Sequence, residues 1–437
     1  MAKHIVTAAL PYANGSIHIG HLLEYIQADI YSRFLKLTGH DALYICASDM
    51  HGTPIEINAK KAGIPPEEFV EKYFKENQED FKSFLIHFDN YYKTHSEENR
   101  ELSEYFFKVL KEQNLIYLKE IEQMYDEEAK RFLPDRFIKG TCPKCDAEEQ
   151  YGDGCEKCGA HYDTTELKNP YSTITNSAPI LKSTKHYFFK LSSFSDKLSK
   201  WVETSDIQEE VKNWLRNWIK DGLKDWCISR DAPYFGFPIP NSEKEAGAKK
   251  FFYVWLDAPI GYISSTKNFT ENWKDYWYKG NVTHFLGKDI VYFHYLFWIA
   301  MFMGVGIPLP KLSTHGFITI NGRKMSKSRG TFFTAKEFRA LFHPEAIRFY
   351  YASHLDRKVS DVDLNLEDFQ AVTNNVLWGN IGNFCNRTLT FANKNYGKIE
   401  QIDESLKDEI ILLLNQVKKD YTNLNFKSAV KTILQIS

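Results

Sequence analysis

Residues 5–48 read IVTAALPYANGSIHIGHLLEYIQADIYSRFLKLTGHDALYICAS. The first six are mostly apolar and include β-branched residues, and a proline ends the run, which predicts a buried strand. A loop from Tyr12 to Ser16 leads into a helix from about Ile17 to Lys36, and Gly39 stands where a helix stop is expected. The ALYICAS segment (42–48) predicts the next buried strand. Strand, glycine-containing loop, helix and strand together are typical of a nucleotide-binding βαβ unit.

The alternation of strands and helices continues along the chain and is interrupted once. The interruption, residues 115–230, contains a cysteine cluster, short strands and one amphipathic helix whose tryptophan-rich stripe we interpret as core. Apolar strand patterns return at 251–256, 283–287 and 312–316, and the chain becomes helical from about residue 365. These patterns predict an α/β protein with a split Rossmann-like nucleotide-binding domain, an inserted domain and a C-terminal α-helical domain.

Composition restricts the classes of protein that are consistent with the chain. Its 437 residues are 43% hydrophobic and 26% charged, enough for several domains with real cores. The formal net charge is −2, so any nucleic-acid binding must use a local basic surface. No run of 18 apolar residues and no signal-peptide layout is visible. We therefore expect a cytoplasmic protein that does not contact membranes.

Two short motifs about 300 residues apart carry chemistry. His18 and His21 are three residues apart at the start of the first predicted helix and so share one face. Free backbone N–H groups at a helix start attract phosphate, and two imidazoles there could donate hydrogen bonds as charge builds. Gly20 between them would let a base lie directly on the helix. Without a second motif, the HxGH sequence is equally consistent with two surface histidines that bind no phosphate.

The second motif is KMSKS, residues 324–328, which follows a predicted hairpin with a tight turn at Asn321 and Gly322. It places the ammonium groups of Lys324 and Lys327 on a loop whose small serines permit movement. A mobile lysine that closes on a triphosphate contacts the transition state more than the ground state, which accelerates a reaction. Alone, the motif would be interpreted as an exposed basic loop, but the two motifs together predict an ATP site.

The seven cysteines divide into a cluster of four and three scattered residues. The cluster has the spacing CxxC-x9-CxxC, in which each CxxC supplies two thiolates on a tight turn. We predict one structural zinc ion, because four thiolates leave no open coordination position. This usage fits a reducing cytosol better than a disulfide framework. The predicted ligands are Cys142, Cys145, Cys155 and Cys158, and the remaining Cys46, Cys227 and Cys385 are interpreted as core thiols.

Six longer blocks resemble the methionyl-tRNA synthetases, a family of class I aminoacyl-tRNA synthetases. They are residues 9–30, 49–56, 228–240, 252–262, 287–294 and 321–331, and the resemblance runs from about residue 3 to the end. The synthetases for branched-chain amino acids carry a much larger editing insertion, for which residues 115–230 are too few. With the resemblance, the predicted divisions are residues 1–114 and 231–320 for the two halves of the catalytic domain, 115–230 for the zinc-knuckle insertion, 321–370 for the KMSKS loop and a region that contacts the tRNA stem, and 371–437 for the start of a helical anticodon-binding domain.

The resemblance also implies the substrate contacts. Asp49 would hold the α-ammonium of L-methionine, and His294 and Tyr262 could contact its sulfur. Arg230 matches a position near the substrate carboxylate or the phosphates. The implied methionine site is Leu10, Tyr12, Asp49, Trp255, Ala258, Pro259, Tyr262, Ile290 and His294. The implied ATP site is Asn14, Gly20, Glu24, Arg230, Gly287, Asp289 and Ile318, with His18, His21, Lys324 and Lys327 as catalytic residues and Mg²⁺ bound with ATP.

The C-terminal region matches the family less completely. Asn383 and Arg387 match positions that read the anticodon, and the spacing of four places them on one helix face. The family's anticodon tryptophan would lie beyond residue 437, so the resemblance implies an anticodon contact with tRNA(Met) through Asn383 and Arg387 alone. The extension through which family members often dimerise would also lie beyond the last residue, and we expect a monomer.

The resemblance implies formation of methionyl-adenylate from methionine and ATP, followed by transfer of methionine to tRNA. Two other classes of function stay open from the residues. A nucleotidylyltransferase with HxGH chemistry would use ATP without aminoacylation, but it leaves the cysteine cluster and the C-terminal helices unexplained. A binding protein with an inactive synthetase core would be expected to have lost catalytic residues, yet the two histidines, Asp49 and the two lysines are all present.

Overall fold

A computed structural model describes residues 2–152, 154–155, 157–160, 162, 164–325, 331–396 and 403–437. Its strands are β1 (Lys3–Ala8), β2 (Asp41–Ser48), β3 (Asn90–Lys93), β4 (Ile116–Asp126), β5 (Arg131–Phe132), β6 (Ile138–Thr141), β7 (Gln150–Tyr151), β8 (Lys168–Ser172), β9 (Ile180–Phe189), β10 (Trp226–Cys227), β11 (Ser229–Asp231), β12 (Lys250–Phe252), β13 (Asn281–Gly287), β14 (Lys311–His315), β15 (Ile318–Ile320), β16 (Arg323–Lys324) and β17 (Val362–Leu364).

The helices are α1 (Ile19–Leu37), α2 (Thr53–Ala62), α3 (Pro66–Ser83), α4 (Glu97–Glu112), α5 (Ser195–Thr204), α6 (Glu209–Lys220), α7 (Ser242–Ala246), α8 (Val254–Asp257), α9 (Ile260–Phe269), α10 (Trp273–Lys279), α11 (Ile299–Val305), α12 (Ala335–Leu341), α13 (Pro344–His354), α14 (Leu366–Ala371), α15 (Asn383–Asn395), α16 (Glu404–Thr422) and α17 (Phe426–Ile436). Two segments, Phe293–Trp298 and Val372–Gly382, are π-helical. In the described residues, no helix is both long and apolar enough to cross a bilayer.

The central sheet is parallel, and in the described residues its strand order is β14-β13-β1-β2-β3. The strands β1, β2, β13 and β14 are mostly buried on both faces, as expected when helices cover a parallel sheet on either side. Ile5 and Val6, consecutive in β1, belong to two different buried clusters. One cluster includes side chains of α4, α9 and α11, and the other includes side chains of α1, α3 and α13. The strand order reverses at β1, so the loops after β1, β2 and β13 meet at a switch point, where ligands bind in such folds.

Between β3 and β13 the described residues form three antiparallel sheets, in the orders β10-β9-β4-β5, β7-β6-β8 and β11-β12. The longest pairing joins β4 and β9, from Ile116 opposite Phe189 to Tyr125 opposite Ile180. The amphipathic helix predicted in this region is α6, whose Val211 and Leu215 are fully buried. The predicted α/β fold with an inserted cysteine-bearing region and a C-terminal helical region is confirmed.

Two local expectations were wrong. Residues 251–256 were predicted to form a strand, but β12 ends at Phe252 and α8 begins at Val254. The chain turns there because Tyr253 N–H donates to the Ile228 carbonyl, and Ala258 N–H closes the next turn on the Val254 carbonyl at 2.8 Å. Cys385 was predicted to be a core thiol, but it is exposed on α15.

Candidate active site

The loops at the switch point enclose a cavity of about 440 Å³. Segments from the ends of β1 and β2, from α8 and α9, and from the segment after β13 form its wall. Every residue that the resemblance assigned to methionine lies in that wall, together with Arg230. These residues are Leu10, Tyr12, Asp49, Trp255, Ala258, Pro259, Tyr262, Ile290 and His294.

Asp49 follows β2 directly and places a carboxyl group in the cavity wall. The loop after β1 holds its backbone, because Asp49 N–H donates to the Pro11 carbonyl at 2.9 Å and Ala13 N–H donates to the Asp49 carbonyl at 2.8 Å. Burial, and secondly the nearby Asp257 carboxyl, raise the pKa of Asp49 well above its ordinary value. The site therefore favours a cationic partner, which would restore the carboxylate.

His294 lies on the π-helical segment and presents a neutral ring at the wall. Its Nδ1 is 3.1 Å from the Ile290 carbonyl oxygen, which only accepts, so Nδ1 carries the proton. Its Nε2 then accepts from the Tyr262 hydroxyl at 3.0 Å. Burial lowers the pKa of His294 to about 4, so the ring stays uncharged near neutral pH. The pair gives the cavity a polar end that carries no charge.

Aromatic contacts fix the position of Trp255. Its ring stacks on Phe293, with centroids 3.8 Å apart and planes 7° apart, and meets His294 edge-on at 6.2 Å. Phe293 was missed at the sequence level, although its place beside His294 in a predicted helix was the available signal. The stack leaves Trp255 as a rigid apolar wall.

Arg230 lines the cavity through a cation–π contact, with its guanidinium carbon 3.7 Å from the centre of the Tyr253 ring. Its Nη1 also donates to the Ser229 carbonyl at 2.8 Å. The insertion contributes Pro134, Asp135 and Arg136 to the same wall. Sequence reasoning missed these three residues, because nothing in their local pattern indicates that the insertion folds back over the cavity.

The two histidines of the first motif lie together at the start of α1, as predicted. Their rings stack with centroids 3.6 Å apart. His18 is the N-cap, and its Nδ1 accepts from Gly20 N–H at 3.1 Å, while His21 Nδ1 accepts from His18 N–H at 3.2 Å. In each neutral ring the proton therefore lies on Nε2, which makes Nε2 the hydrogen-bond donor.

The second motif lies against the first. The segment after the second motif pairs with the first motif, because Ile19 N–H donates to the Phe333 carbonyl at 3.2 Å and His18 forms a bridge with Thr334. The methyl group of Met325 lies on Gly20, 2.5 Å from where a β carbon would be, so any larger residue would displace the end of the Met325 side chain. Lys324 is exposed at the end of β16, after the predicted Asn-Gly turn. Lys327 lies outside the described residues.

Two of the residues expected around adenosine, Gly287 and Asp289, lie at the end of β13 and just after it. Glu24 on α1 accepts a hydrogen bond from Ala9 N–H and pairs with His315, 3.2 Å from Oε2 to Nε2. A β carbon on Gly287 would lie 2.6 Å from Asp289 Oδ1. His315 was missed, although it ends a predicted strand of the nucleotide-binding unit.

Ile318 and Asn14 complete the set of residues expected around adenosine. Ile318, the first residue of β15, is buried in the core cluster that contains α1. Asn14 accepts a hydrogen bond from Asn58 Nδ2 at 2.5 Å. The structure therefore brings Glu24, Gly287 and Asp289 together, and leaves Asn14 on the loop beside α2.

The sequence and the fold of this chain are both similar to those of known proteins. Residues 4–389 match the family model described as tRNA synthetases class I (M). The chain belongs to the class I tRNA synthetases. Its fold is similar to that of Mycobacterium tuberculosis methionyl-tRNA synthetase in complex with methionyl-adenylate, with a TM-score of 0.78 and 24% identity over 100% of this chain and 82% of that chain. The apo form of the same M. tuberculosis enzyme gives a TM-score of 0.69 and 22% identity, over 100% and 80% of the two chains.

In this class I synthetase the predicted cysteine cluster forms as expected. The four sulfur atoms lie within 4.8 Å of one another. Cys142 Sγ is 3.9 Å from Cys158 Sγ, and Cys145 Sγ is 3.6 Å from Cys155 Sγ. A tetrahedral zinc site with Zn–S bonds of about 2.3 Å requires sulfur separations of about 3.8 Å. The donor set therefore fits zinc.

Asn383 and Arg387 both lie on α15 and are exposed. Their spacing of four places them one turn apart on the same face. The structure keeps them adjacent in this synthetase, and neither residue lines the methionine cavity. The role in anticodon reading stays a prediction.

Proposed function

We propose that this class I synthetase activates L-methionine with ATP and transfers it to tRNA(Met). The observation that carries the proposal is the single cavity lined by all nine residues assigned to methionine, with the first motif at the start of α1 and the second motif packed on it. The methionine carboxylate attacks the α-phosphorus of ATP and releases pyrophosphate. The terminal ribose hydroxyl of tRNA then attacks the acyl carbon and releases AMP.

The cavity wall fits the methionine side chain. Leu10, Trp255 and Ile290 provide apolar surface for the methylenes and the thioether, which is polarizable and packs well on aromatic rings. The polar end formed by Tyr262 and His294 is neutral, so it offers no ionic partner to a charged side chain. At the other end, Asp49 takes the α-ammonium in a charge-assisted contact.

Activation is driven by positioning and charge stabilisation. The Nε2 donors of His18 and His21 face the charge that builds as pyrophosphate leaves, and the dipole of α1 adds to them. Lys324 and Lys327 complete the set from the second motif. Mg²⁺ would accompany ATP, held mainly by phosphates and water. We therefore expect the histidines and lysines to determine the rate of adenylate formation, and Asp49 to determine the affinity for methionine.

A second cleft supports transfer to RNA. It lies between α2 and the insertion, and it shares Pro54 and Arg136 with the methionine cavity. Lys60 and Lys61 add positive charge, and Lys139 pairs with Glu149, 3.3 Å from Nζ to Oε2. Tyr151 and Tyr171 lie in the same wall, where they could stack unpaired bases. A single-stranded 3′ end following this cleft would reach the acyl group.

The zinc ion would act as a structural element. Four thiolates saturate a tetrahedral ion and leave it no catalytic position. The cysteine region is tied to the cavity wall, because Gly152 N–H donates to the Asp135 carbonyl at 3.1 Å and Thr164 Oγ1 donates to Asp135 Oδ1 at 2.7 Å. Zinc would thereby hold Asp135 and Arg136 over the cavity.

The first test is amino-acid-dependent ATP–pyrophosphate exchange by zinc-replete protein, with methionine, leucine, isoleucine and cysteine compared. We expect exchange with methionine alone, followed by charging of tRNA(Met) when that tRNA is added. Exchange that prefers another amino acid would overturn the substrate assignment. No exchange with any of the four would overturn the catalytic assignment.

A further inference from the structure

His315 at the end of β14 is buried, and both of its ring nitrogens face oxygen acceptors. Nδ1 is 2.7 Å from the Gly316 carbonyl oxygen, and Nε2 is 3.2 Å from Glu24 Oε2. The Gly316 carbonyl oxygen only accepts, so Nδ1 donates, and Nε2 donates as well when Glu24 is an ionised carboxylate. A ring that donates from both nitrogens is an imidazolium. With Glu24 ionised, the pair is therefore an imidazolium beside a carboxylate.

Two carboxylates flank this cation. Glu24 approaches from α1, and Asp289 approaches from the turn after β13. A β carbon on Gly287 would lie 2.6 Å from Asp289 Oδ1 and 3.7 Å from His315 Cε1, so both groups lie close to the same point. Next to Asp289, Lys288 pairs with Asp361 at 2.6 Å, and the Asp361 carboxylate also accepts from Phe317 N–H. Asp289 is exposed, whereas Glu24 is buried.

We propose that His315 is a positioning residue of the nucleotide site: as a cation it keeps Glu24 an oriented carboxylate, so that Glu24 and Asp289 accept hydrogen bonds from the ribose hydroxyls of ATP. The inference rests on the proposed function, because that function supplies ATP as the nucleotide. His315 itself contacts no substrate. Glycine at position 287 keeps the approach between Asp289 and His315 open.

The charge state of Glu24 is the reason that a cation is needed. Burial raises the pKa of Glu24 and favours its protonated form, while the hydrogen bond from His315 opposes that change. A protonated carboxyl would present an O–H donor to a ribose hydroxyl in place of an acceptor. Burial alone would lower the pKa of His315, but Glu24 and the Gly316 carbonyl raise it above its ordinary value. The pair is therefore suited to hold the proton on the imidazole.

The test compares ATP, 2′-deoxy-ATP and 3′-deoxy-ATP in equilibrium binding and in methionine-dependent exchange. The variant is His315→Gln, which keeps an N–H donor near Glu24 and removes the charge. We expect the wild type to prefer ATP over at least one deoxy analogue, and the variant to lose about tenfold of that preference. The KM for methionine should stay within about twofold, since His315 is not among the residues that line the methionine cavity.

Two controls separate this role from a loss of stability. His51 is another buried imidazole bonded to a buried carboxylate, with Nδ1 2.5 Å from Asp257 Oδ2. His51→Gln should leave the ribose preference unchanged. Glu24→Gln should lose the same preference as His315→Gln, and the double variant should lose no more than either, because the two residues act as one unit. Weaker binding of all three nucleotides by one factor would indicate a structural role and overturn the proposal.

The pH dependence gives an independent readout. An imidazolium is present below its pKa and is lost as the pH rises through it, so the wild-type ribose preference should fall at high pH. His315→Gln should show a preference that does not change over the same range. Equal preferences in the wild type and the variant at every pH would overturn the inference while exchange with ATP still supports the proposed function. If His315→Gln loses the ribose preference but the wild type shows no methionine-dependent exchange, the proposed function would be overturned and the role of His315 would stand.

Discussion

The methionine cavity and the C-terminal helices were both assigned from the same family resemblance, and they differ in what the fold adds. In the cavity, nine predicted residues from separate segments meet in one wall, and contacts fix several of them, such as the stack of Trp255 on Phe293. On α15, Asn383 and Arg387 share a face by spacing alone. Their helix also exposes Leu389, at 68%, and Phe391, at 61%. Convergence of distant segments is therefore the stronger evidence for a site.

The largest expected effect tests the catalytic end of the cavity. His18→Asn should lower the rate of methionine-dependent exchange by about 100- to 1,000-fold, because it removes a donor aimed at developing charge. Methionine affinity should change little. Asparagine is the matched choice, since it is a strong N-cap residue and can replace the contact that His18 makes with Gly20 N–H.

The measurement is single-turnover adenylate formation together with equilibrium titration of methionine. An equal loss of rate and methionine affinity would contradict the separate roles of the first motif and Asp49. A rate that stays near that of the wild type would place the charge stabilisation elsewhere.

The second effect concerns Asp49. Asp49→Asn should weaken methionine binding by about 10- to 100-fold, the size expected for loss of a charge-assisted contact. In the wild type, methionine affinity should rise as the pH increases through the raised pKa of Asp49, because the ammonium needs the carboxylate. Asp49→Asn should lack this rise, and a variant that kept it would assign the dependence to another group.

Local patterns predicted most of the fold, because the order of elements and the hydrophobic period are encoded locally. The strand and helix of the first βαβ unit, the Asn-Gly hairpin and the cysteine cluster follow from such patterns. Contacts between distant segments were not predictable in this way. The insertion folds Asp135 and Arg136 over the cavity, and His315 meets Glu24 across 291 residues. A residue whose role depends on such a partner carries no local signal.

The third effect tests the C-terminal side of the comparison. Arg387→Ala should leave methionine-dependent exchange unchanged and lower the kcat/KM for charging tRNA(Met) by about tenfold, the cost of losing one bidentate base contact. Arg100→Ala, at an exposed arginine on α4, is the control for loss of positive charge alone. Charging that falls equally in both variants, or in neither, would remove Arg387 from anticodon reading.

The smallest expected effect tests whether the exposed apolar face of α15 is free in solution. Leu389→Ala should change the free energy of unfolding by less than about 0.5 kcal/mol, because the side chain is already 68% exposed. Leu296→Ala is the matched control, since Leu296 is fully buried beside the cavity and should cost about 2–5 kcal/mol. Both values come from denaturant unfolding at one protein concentration. A cost above about 1 kcal/mol at Leu389 would mean that α15 packs against another surface in solution. The apolar face of α15 would then be organised, like the cavity, by contacts between distant parts of the chain.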